Sequence, residues 1–336
     1  MVDGSPCRRS DCEVARTGVC ALGSDPIDSC DEYEAEEAEL DTGEFEDELE
    51  AEERPVEAKR LLHRSEMLSR SELCSMQQAE ATTVVSLVGD VTAGKTTLIA
   101  ALYDSFCRGP FAGYSFRSSR TLIAFARRLH KALVRSDLAL PETDRTSRQD
   151  GVGFLHLTVV DRSGPRHLLI ADRSGEDFQA ARNDTNLIAG LWELPMADRI
   201  CFILDAGKIA NPDTRTGYKR RFKQQIWALL NNGAVSDNAV LEIVTTKLDK
   251  LALKPDKEPV LDQLVEFENE VVEEFDTIGH TIGVRRVCAM PRSNFEVGRI
   301  GLQELFQGWL SLRPLKDVTP EPSVSPARWV DRMLSK

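Results

Sequence analysis

Residues 82–103 read TTVVSLVGDVTAGKTTLIAALY, and they decide the fold. The first seven are β-branched and apolar, as in a buried strand, and the last seven are typical of a helix. Between them, Gly89 to Thr96 match the pattern G-x-x-x-x-G-K-T. Glycines in such a loop allow successive backbone N–H groups to turn inward, beside the positive end of a helix. The stretch therefore predicts a phosphate-binding loop, or P-loop, between a strand and a helix.

The residue types in this loop predict specific contacts with a nucleotide. Lys95 is expected to reach the β and γ phosphates, and the Thr96 hydroxyl is expected to bind Mg2+. Two alternatives stay open, a turn without a ligand and a degenerate loop that binds a nucleotide without hydrolysing it. The loop alone does not choose between ATP and GTP. The predicted nucleotide-binding residues here are Gly89, Asp90, Val91, Thr92, Ala93, Gly94, Lys95, Thr96 and Thr97.

A second motif follows a predicted β-hairpin. Residues 152–161 and 166–171 are apolar runs joined by the turn Arg-Ser-Gly-Pro. The second run stops at Asp172, which opens the D-x-x-G pattern that ends at Gly175. The Asp172 carboxylate is expected to hold Mg2+ through water, and the Gly175 N–H is expected to face a γ-phosphate. A contact of that kind, made with the triphosphate and lost after hydrolysis, lets a loop report the state of its nucleotide.

A third motif predicts which base is read. Residues 240–244 indicate a strand, and Thr246-Lys247-Leu-Asp249 follows it. A carboxylate at Asp249 can accept both N1–H and N2–H2 of guanine, whereas N1 of adenine is an acceptor. Lys247 is expected to pack across the base, and an ATPase is the alternative if Asp249 does not reach it. A further predicted strand, 284–289, adds the backbone N–H groups of Cys288 and Ala289 as candidates for guanine O6.

The motifs at 89–96, 172–175, 246–249 and 288–289 resemble, in order and spacing, those of Ras-like P-loop GTPases of the translation-factor-related (TRAFAC) class. The long gap after the P-loop and the run Asp-Arg-Ser-Gly-Glu-Asp-Phe are similar to the bacterial double-GTPase group. The resemblance implies an α/β, three-layer P-loop NTPase fold with six strands, mostly parallel, and one antiparallel hairpin strand. It also implies GTP or GDP and Mg2+ as ligands, and a GTPase that cleaves the β–γ phosphoanhydride.

The gap between the first two motifs departs from the Ras-like pattern. Asp172 comes 77 residues after Lys95, and an arginine-rich insertion, 106–149, fills the space. The apolar residues of 121–135 recur at helical spacing and predict an amphipathic helix. Within this insertion, Thr146 is the first candidate for the switch I threonine, which binds Mg2+ and takes part in catalysis. Thr143 is the second candidate, and the alternative for each threonine is an ordinary loop residue.

Arg173, within the second motif, and Glu176, directly after it, bear on the rate of hydrolysis. Glu176 stands where Ras-like enzymes have a glutamine that orients the attacking water. Because a glutamate brings negative charge toward the γ-phosphate, the expectation is either slow intrinsic hydrolysis or rescue by a residue supplied from elsewhere. Arg173 is either a catalytic arginine supplied in cis or an exposed surface arginine. The predicted catalytic residues are thus Lys95, Thr146 and Glu176, and the predicted metal-binding residues are Thr96, Thr146 and Asp172.

Composition predicts four segments along the chain. Residues 31–53 hold 14 acidic side chains among 23 residues, which cannot bury enough apolar surface to fold. We expect a disordered acidic tail over 1–55, a helical linker over 56–81 that either docks or stays exposed, a Ras-like GTPase domain over 82–313, and a proline-containing linker with a short helix over 314–336. Four tail cysteines are expected to be free thiols, with a tetrahedral zinc site as the alternative: Cys7, Cys12, Cys20 and Cys30.

Charge and hydropathy limit the partners and the compartment. No apolar run is long enough to cross a bilayer, and residues 1–10 lack the apolar stretch of a signal peptide, so a cytoplasmic protein is expected. Residues 81–336 carry 34 basic and 32 acidic side chains, a balance that favours neither nucleic acid nor a membrane surface. A protein effector or activator is expected, and so is a nucleotide-dependent dimer. The alternative function is a pseudo-GTPase scaffold that binds nucleotide without hydrolysis and recruits partners through its tails.

Overall fold

The computed structural model describes residues 12–17, 19–23, 30–33, 65–132, 151–252, 257–289 and 300–311. The chain divides into two compact units, Met1–Arg60 and Leu61–Lys336. In the first unit, helix α1 spans Val14–Thr17. Thr143, Thr146, Cys7 and the predicted C-terminal linker lie outside the described residues. The acidic stretch after residue 33 also lies outside them, so the disordered tail over 1–55 stays a prediction.

The described part of the first unit contains three buried cysteines. Cys12 packs with Val14 against Tyr33. Cys20 and Cys30 are also buried, and their sulfur atoms lie 3.8 Å apart. That separation is well beyond the roughly 2.0 Å of a disulfide bond. The two thiols are therefore close neighbours that are not joined to each other.

The second unit is built on a seven-stranded sheet with the spatial order β2-β3-β4-β1-β5-β6-β7. β1, β4, β5, β6 and β7 run parallel to one another, and β3 pairs antiparallel with both β4 and β2. The strands are β1 Thr82–Val88, β2 Ser115–Ser118, β3 Gly153–Asp161, β4 Gly164–Asp172, β5 Arg199–Asp205, β6 Val240–Thr246 and β7 Ile282–Arg286.

Helices cover both faces of this sheet. They are α2 Arg70–Ala79, α3 Lys95–Cys107, α4 Leu122–Ala132, α5 Gly175–Asn183, α6 Ala206–Ile209, α7 Pro212–Asn231, α8 Asp249–Ala252, α9 Lys257–Asp276 and α10 Leu302–Leu310, with a 3-10 turn at Thr185–Gly190. In β1, Val84 and Val88 face one core, whereas Val85 and Leu87 face the other. The first core is closed by α2, α5, α7 and α9, and the second by α3, α4 and α10.

The predicted fold class is confirmed, because helices sandwich a mostly parallel sheet that contains the predicted hairpin, β3 and β4. The expected number of six strands is wrong. The extra strand, β2, comes from the insertion and extends the sheet edge beyond β3. All four of its residues are exposed, so no apolar pattern marked it. The predicted helix of the insertion is present as α4, and its Phe125 is fully buried.

The helix before the sheet is docked. A capping box starts α2, since Ser69 and Glu72 bond reciprocally to each other's backbone N–H. Leu73 and Met76 are buried in the first core. Just upstream, Leu68 exchanges two backbone hydrogen bonds with Phe154 of β3. Among the described residues, no helix is long and apolar enough to cross a membrane.

Candidate functional site

The P-loop connects β1 to α3 at the carboxyl edge of the parallel strands, where α/β folds bind ligands. Gly94 precedes α3 with a φ of 105°, a left-handed conformation that suits glycine. Thr92 is also left-handed, with a φ of 62°. A Cβ atom on Gly94 would lie 3.3 Å from the Thr246 hydroxyl, so the loop packs closely on the end of β6.

Lys95 places its ammonium group inside the P-loop. Its Nζ donates to the carbonyl oxygens of Gly89, at 2.7 Å, and Asp90, at 3.1 Å. Burial lowers the pKa of Lys95 to about 8, against the opposing effect of the Asp172 and Asp90 carboxylates. A buried cation enclosed by loop backbone is suited to a phosphate group, which would supply the countercharge.

Asp172 ends β4, next to β1 in the sheet, and its carboxylate is buried. Its Oδ2 accepts hydrogen bonds from Arg128, whereas its Oδ1 is buried and has no hydrogen-bond partner among the described residues. An unpartnered carboxylate oxygen fits a hydrated Mg2+, which prefers oxygen ligands and keeps several of its waters. Thr96, half-buried in the first turn of α3, would supply a hydroxyl ligand. The donor set present therefore fits the predicted metal.

Gly175 brings the second motif against the P-loop. It begins α5, and a Cβ atom there would lie 2.4 Å from the backbone nitrogen of Val91 and 2.6 Å from the carbonyl carbon of Asp90. Only glycine allows this approach. The next residue, Glu176, is exposed in the first turn of α5. The start of α5 and the backbone of the P-loop therefore pack directly against each other.

We expect Gly175→Ala to separate α5 from the P-loop. The added methyl group meets backbone atoms rather than a flexible side chain, so the expected loss of stability is about 1–3 kcal/mol. GTP affinity should fall at least about tenfold, because the P-loop is displaced. Chemical denaturation and equilibrium binding measure the two effects. Gly190→Ala is the matched control, because a Cβ atom there has no neighbour within 4 Å; equal effects of both substitutions would contradict the packing argument.

Thr246 and Lys247 brace the P-loop from the end of β6. The Thr246 hydroxyl donates to the Ala93 carbonyl at 2.7 Å. Lys247, left-handed with a φ of 59°, donates to the Thr92 carbonyl and pairs with Asp205 Oδ2 at 2.6 Å. Lys247 thus lies along the P-loop, and its expected packing across the base stays a prediction. Asp205 was missed by sequence reasoning, although the apolar run at 199–205 that ends in an aspartate was a usable signal.

Asp249 begins α8, and it is buried at the end of the loop that follows β6. The Cys288 thiol points to its Oδ1 at a sulfur–oxygen distance of 3.9 Å. Burial, followed by the nearby Asp249 charge, raises the pKa of Cys288 to about 11, so the thiol stays neutral. The Cys288 N–H donates to the Ile300 carbonyl at 3.0 Å. Of the two backbone donors predicted for guanine O6, Ala289 is therefore the candidate that the geometry leaves.

Arg173 is neither exposed nor directed to the P-loop. Its Nε and Nη2 donate to Glu193 at 2.6 and 2.9 Å, and its Nη1 pairs with Asp177 at 3.1 Å. Glu193 is fully buried. The expectation of an exposed arginine is wrong, and the ion pairs of Arg173 with Glu193 and Asp177 give no support to a catalytic arginine in cis. Its guanidinium joins the start of α5 to the segment after the 3-10 turn.

Loss of this pair should affect stability. We expect Arg173→Ala to lower the free energy of unfolding by about 3–5 kcal/mol, because it leaves Glu193 as a buried charge without its partner. Urea unfolding monitored by tryptophan fluorescence measures the change. Arg220→Ala, at an exposed position of α7, serves as the control and should change stability by less than about 0.5 kcal/mol. A stability loss no larger than that of the control would show that the pair is not structural.

Comparison with known proteins identifies the family. No curated protein matches this chain. A family model described as Double-GTPase 2 matches residues 83–310, which include the P-loop, the D-x-x-G motif, Asp249 and all strands of the sheet except the first residue of β1. The match confirms the resemblance to the double-GTPase group. With its P-loop at the carboxyl edge of a mostly parallel sheet, the chain belongs to the Double-GTPase 2 family of GTP-binding P-loop GTPases.

Proposed function

We propose that the protein binds GTP together with Mg2+, hydrolyses it slowly, and uses the two nucleotide states as a conformational switch. The observation that carries this proposal is the meeting of Lys95 and Asp172 at one edge of the sheet. Lys95 follows β1 and Asp172 ends β4, and these strands are parallel neighbours. A buried ammonium group thus lies near enough to a buried carboxylate to feel its charge, and that carboxylate keeps one oxygen without a partner among the described residues.

The residues of the chain have distinct tasks in this proposal. The loop N–H groups and the N-terminus of α3 bind phosphate oxygens, and Lys95 adds a positive charge beside the β and γ phosphates. Thr96 and Asp172 would hold Mg2+, directly and through water. When bound, Mg2+ would neutralise the charge that develops on the β–γ oxygens. Asp249 would bind the base.

Slow hydrolysis is inferred from what surrounds the second motif. Glu176 is exposed and negatively charged at the position that orients water in Ras-like enzymes. Arg173, the arginine within the second motif, forms ion pairs with Glu193 and Asp177. Neither residue supplies positive charge to the transition state. An activator protein that supplies such a charge is the partner that this arrangement would need.

Switching is inferred from the contact between Gly175 and the P-loop. Because Gly175 lies directly against Val91 and Asp90, a γ-phosphate that bonded to its N–H would fix the start of α5. Loss of that phosphate would release α5. A nucleotide-dependent dimer would form or separate in response to the same release of α5. The rival is a scaffold that binds nucleotide without hydrolysing it and recruits partners through its tails.

Phosphate release by the full chain separates these two functions. The full chain is incubated with excess GTP or ATP, each with and without Mg2+, and released phosphate is followed over many turnovers. We expect slow, Mg2+-dependent release from GTP and none above background from ATP. Tight GTP binding without release would support the scaffold and overturn the switch.

A further inference from the structure

The insertion contacts the predicted metal carboxylate directly. Arg128, on the inward side of α4, donates to Asp172 Oδ2 through Nη2 at 2.7 Å and through Nε at 3.0 Å. Both partners are largely sequestered, since the Arg128 side chain is 12% exposed and that of Asp172 is 1% exposed. The segment that departs most from the Ras-like pattern therefore reaches the centre of the site.

We propose that Arg128 is a positioning residue that orients Asp172 for Mg2+. This proposal rests on the proposed function. Both donors of the guanidinium converge on Oδ2, whereas a bidentate pair would engage both carboxylate oxygens. Oδ1 therefore stays available. One carboxylate can then accept from Arg128 through Oδ2 and from a metal-bound water through Oδ1.

The arginine is itself held in place, as a positioning role requires. Its Nη1 donates to the Ala124 carbonyl of its own helix at 3.0 Å, and its Nη2 lies 2.9 Å from the Met67 sulfur. Phe125, next to Ala124, anchors α4 in the second core and stacks on Tyr103 of α3. The chain of contacts thus runs from the helix that follows the P-loop, through α4, to the metal carboxylate.

This arrangement couples the insertion to the metal. If Arg128 favours the Asp172 rotamer that accepts a metal-bound water, Mg2+ binding in turn favours the Arg128 contact, because coupling between sites is reciprocal. Binding of Mg2+ with a nucleotide would then stabilise α4 and its packing on α3. The insertion becomes a sensor of the loaded site.

Nucleotide affinity measured with Mg2+ and with EDTA tests this proposal on the full chain. In Arg128→Gln, we expect GTP affinity in EDTA to stay within twofold of wild type, and the gain in affinity from Mg2+ to fall about tenfold. Asp172→Asn should lose a similar part of that gain, and the double variant should lose no more than either single one. Arg127→Gln is the matched control, because Arg127 is the adjacent residue, its side chain is 65% exposed, and it pairs with Glu66.

Some results of these binding measurements would overturn the role of Arg128, and another would refute the proposed function itself. An unchanged Mg2+ gain in Arg128→Gln, or losses that add up in the double variant, would overturn it. If Arg128→Gln does not fold, Arg128→Lys takes its place, because it keeps the charge but loses the forked grip on Oδ2. A wild-type protein that shows no GTP binding would instead refute the proposed function. Mg2+ should also slow amide hydrogen exchange in α4 of the wild type, and no slowing there would contradict the coupling.

An independent observation concerns the first unit. Among its described residues, Cys12 and Val14 pack against Tyr33, and small folded segments are commonly stabilised by a further link such as a structural metal. The Cys20 and Cys30 sulfur atoms are buried and 3.8 Å apart. In a tetrahedral site with Zn–S bonds of about 2.3 Å, neighbouring sulfur atoms lie roughly 3.8 Å apart.

We propose that Cys20 and Cys30 are two thiolate ligands of one structural Zn2+. Each thiol gives up its proton when the metal binds. Within the described residues, no three His, Cys, Asp or Glu side chains lie close enough together to hold a metal ion, so only this pair is assigned.

The zinc content of the full chain tests this second proposal. Protein purified without chelators should contain one zinc per chain by elemental analysis, and Cys20→Ser and Cys30→Ser should each lose it. Cys107→Ser, at an exposed position, is the control and should retain the metal. Absence of zinc from the wild type, or a Cys20–Cys30 disulfide found by mass spectrometry, would overturn the assignment.

Discussion

Asparagine in place of Asp249 is expected to lower GTP affinity at least about 100-fold and to move preference toward xanthosine triphosphate. The carboxylate would accept two hydrogen bonds from guanine, and an amide replaces one acceptor with a donor that faces N2–H2 or N1–H. Xanthine carries a carbonyl at position 2, which can accept from the new amide. Competition binding with GTP, XTP and ATP measures the shift.

The matched control for this change is Asp237→Asn, which alters an exposed carboxylate in the loop before β6. Its affinities should equal those of the wild type. GTP affinity that survives in Asp249→Asn would contradict the assignment of Asp249 to the base, and so would a loss without any gain for XTP. The ATPase alternative would then need to be reconsidered.

Alanine in place of Lys95 is expected to lower the rate of GTP hydrolysis roughly 100- to 1,000-fold. The ammonium group is buried within the P-loop, 2.7 Å from the Gly89 carbonyl, and no other lysine contacts that carbonyl among the described residues. Without the Lys95 ammonium group, the negative charge on the β and γ phosphates is no longer neutralised there in the transition state. Single-turnover phosphate release, at GTP concentrations that saturate each variant, measures the loss.

Lys250→Ala controls for a general effect of removing a lysine near the site. Lys250 is exposed on α8, one residue after Asp249. Its substitution should leave turnover within about twofold of wild type. Turnover in Lys95→Ala that stays near the wild-type rate would mean that phosphate contacts are made elsewhere, and the P-loop assignment would be wrong.

Local patterns were enough to predict the centre of the fold. The strand, loop and helix of residues 82–103 are contiguous, and their glycine spacing and apolar runs need no information about distant partners. The observed β1 coincides with the predicted strand, residues 82–88. The hairpin of β3 and β4 was equally visible because its turn and both apolar runs are adjacent.

Contacts between distant residues could not be predicted in this way. Arg128 and Asp172 are 44 positions apart, and nothing local marks that arginine among the basic residues of the insertion. The ion pair of Arg173 with Glu193 spans 20 positions and turned a supposed surface or catalytic residue into a structural one. In both cases the fold buries two charged side chains together, and no local sequence pattern indicates that either one is buried.

The most direct test of the account is equilibrium binding of GTP and ATP to the full chain by isothermal titration calorimetry, with and without Mg2+. The account predicts one GTP site per chain, GTP affinity at least about 100-fold above that for ATP, and tighter GTP binding when Mg2+ is present. Equal affinity for the two nucleotides, or no binding of either, would contradict the claim that this edge of the sheet is a guanine-nucleotide site.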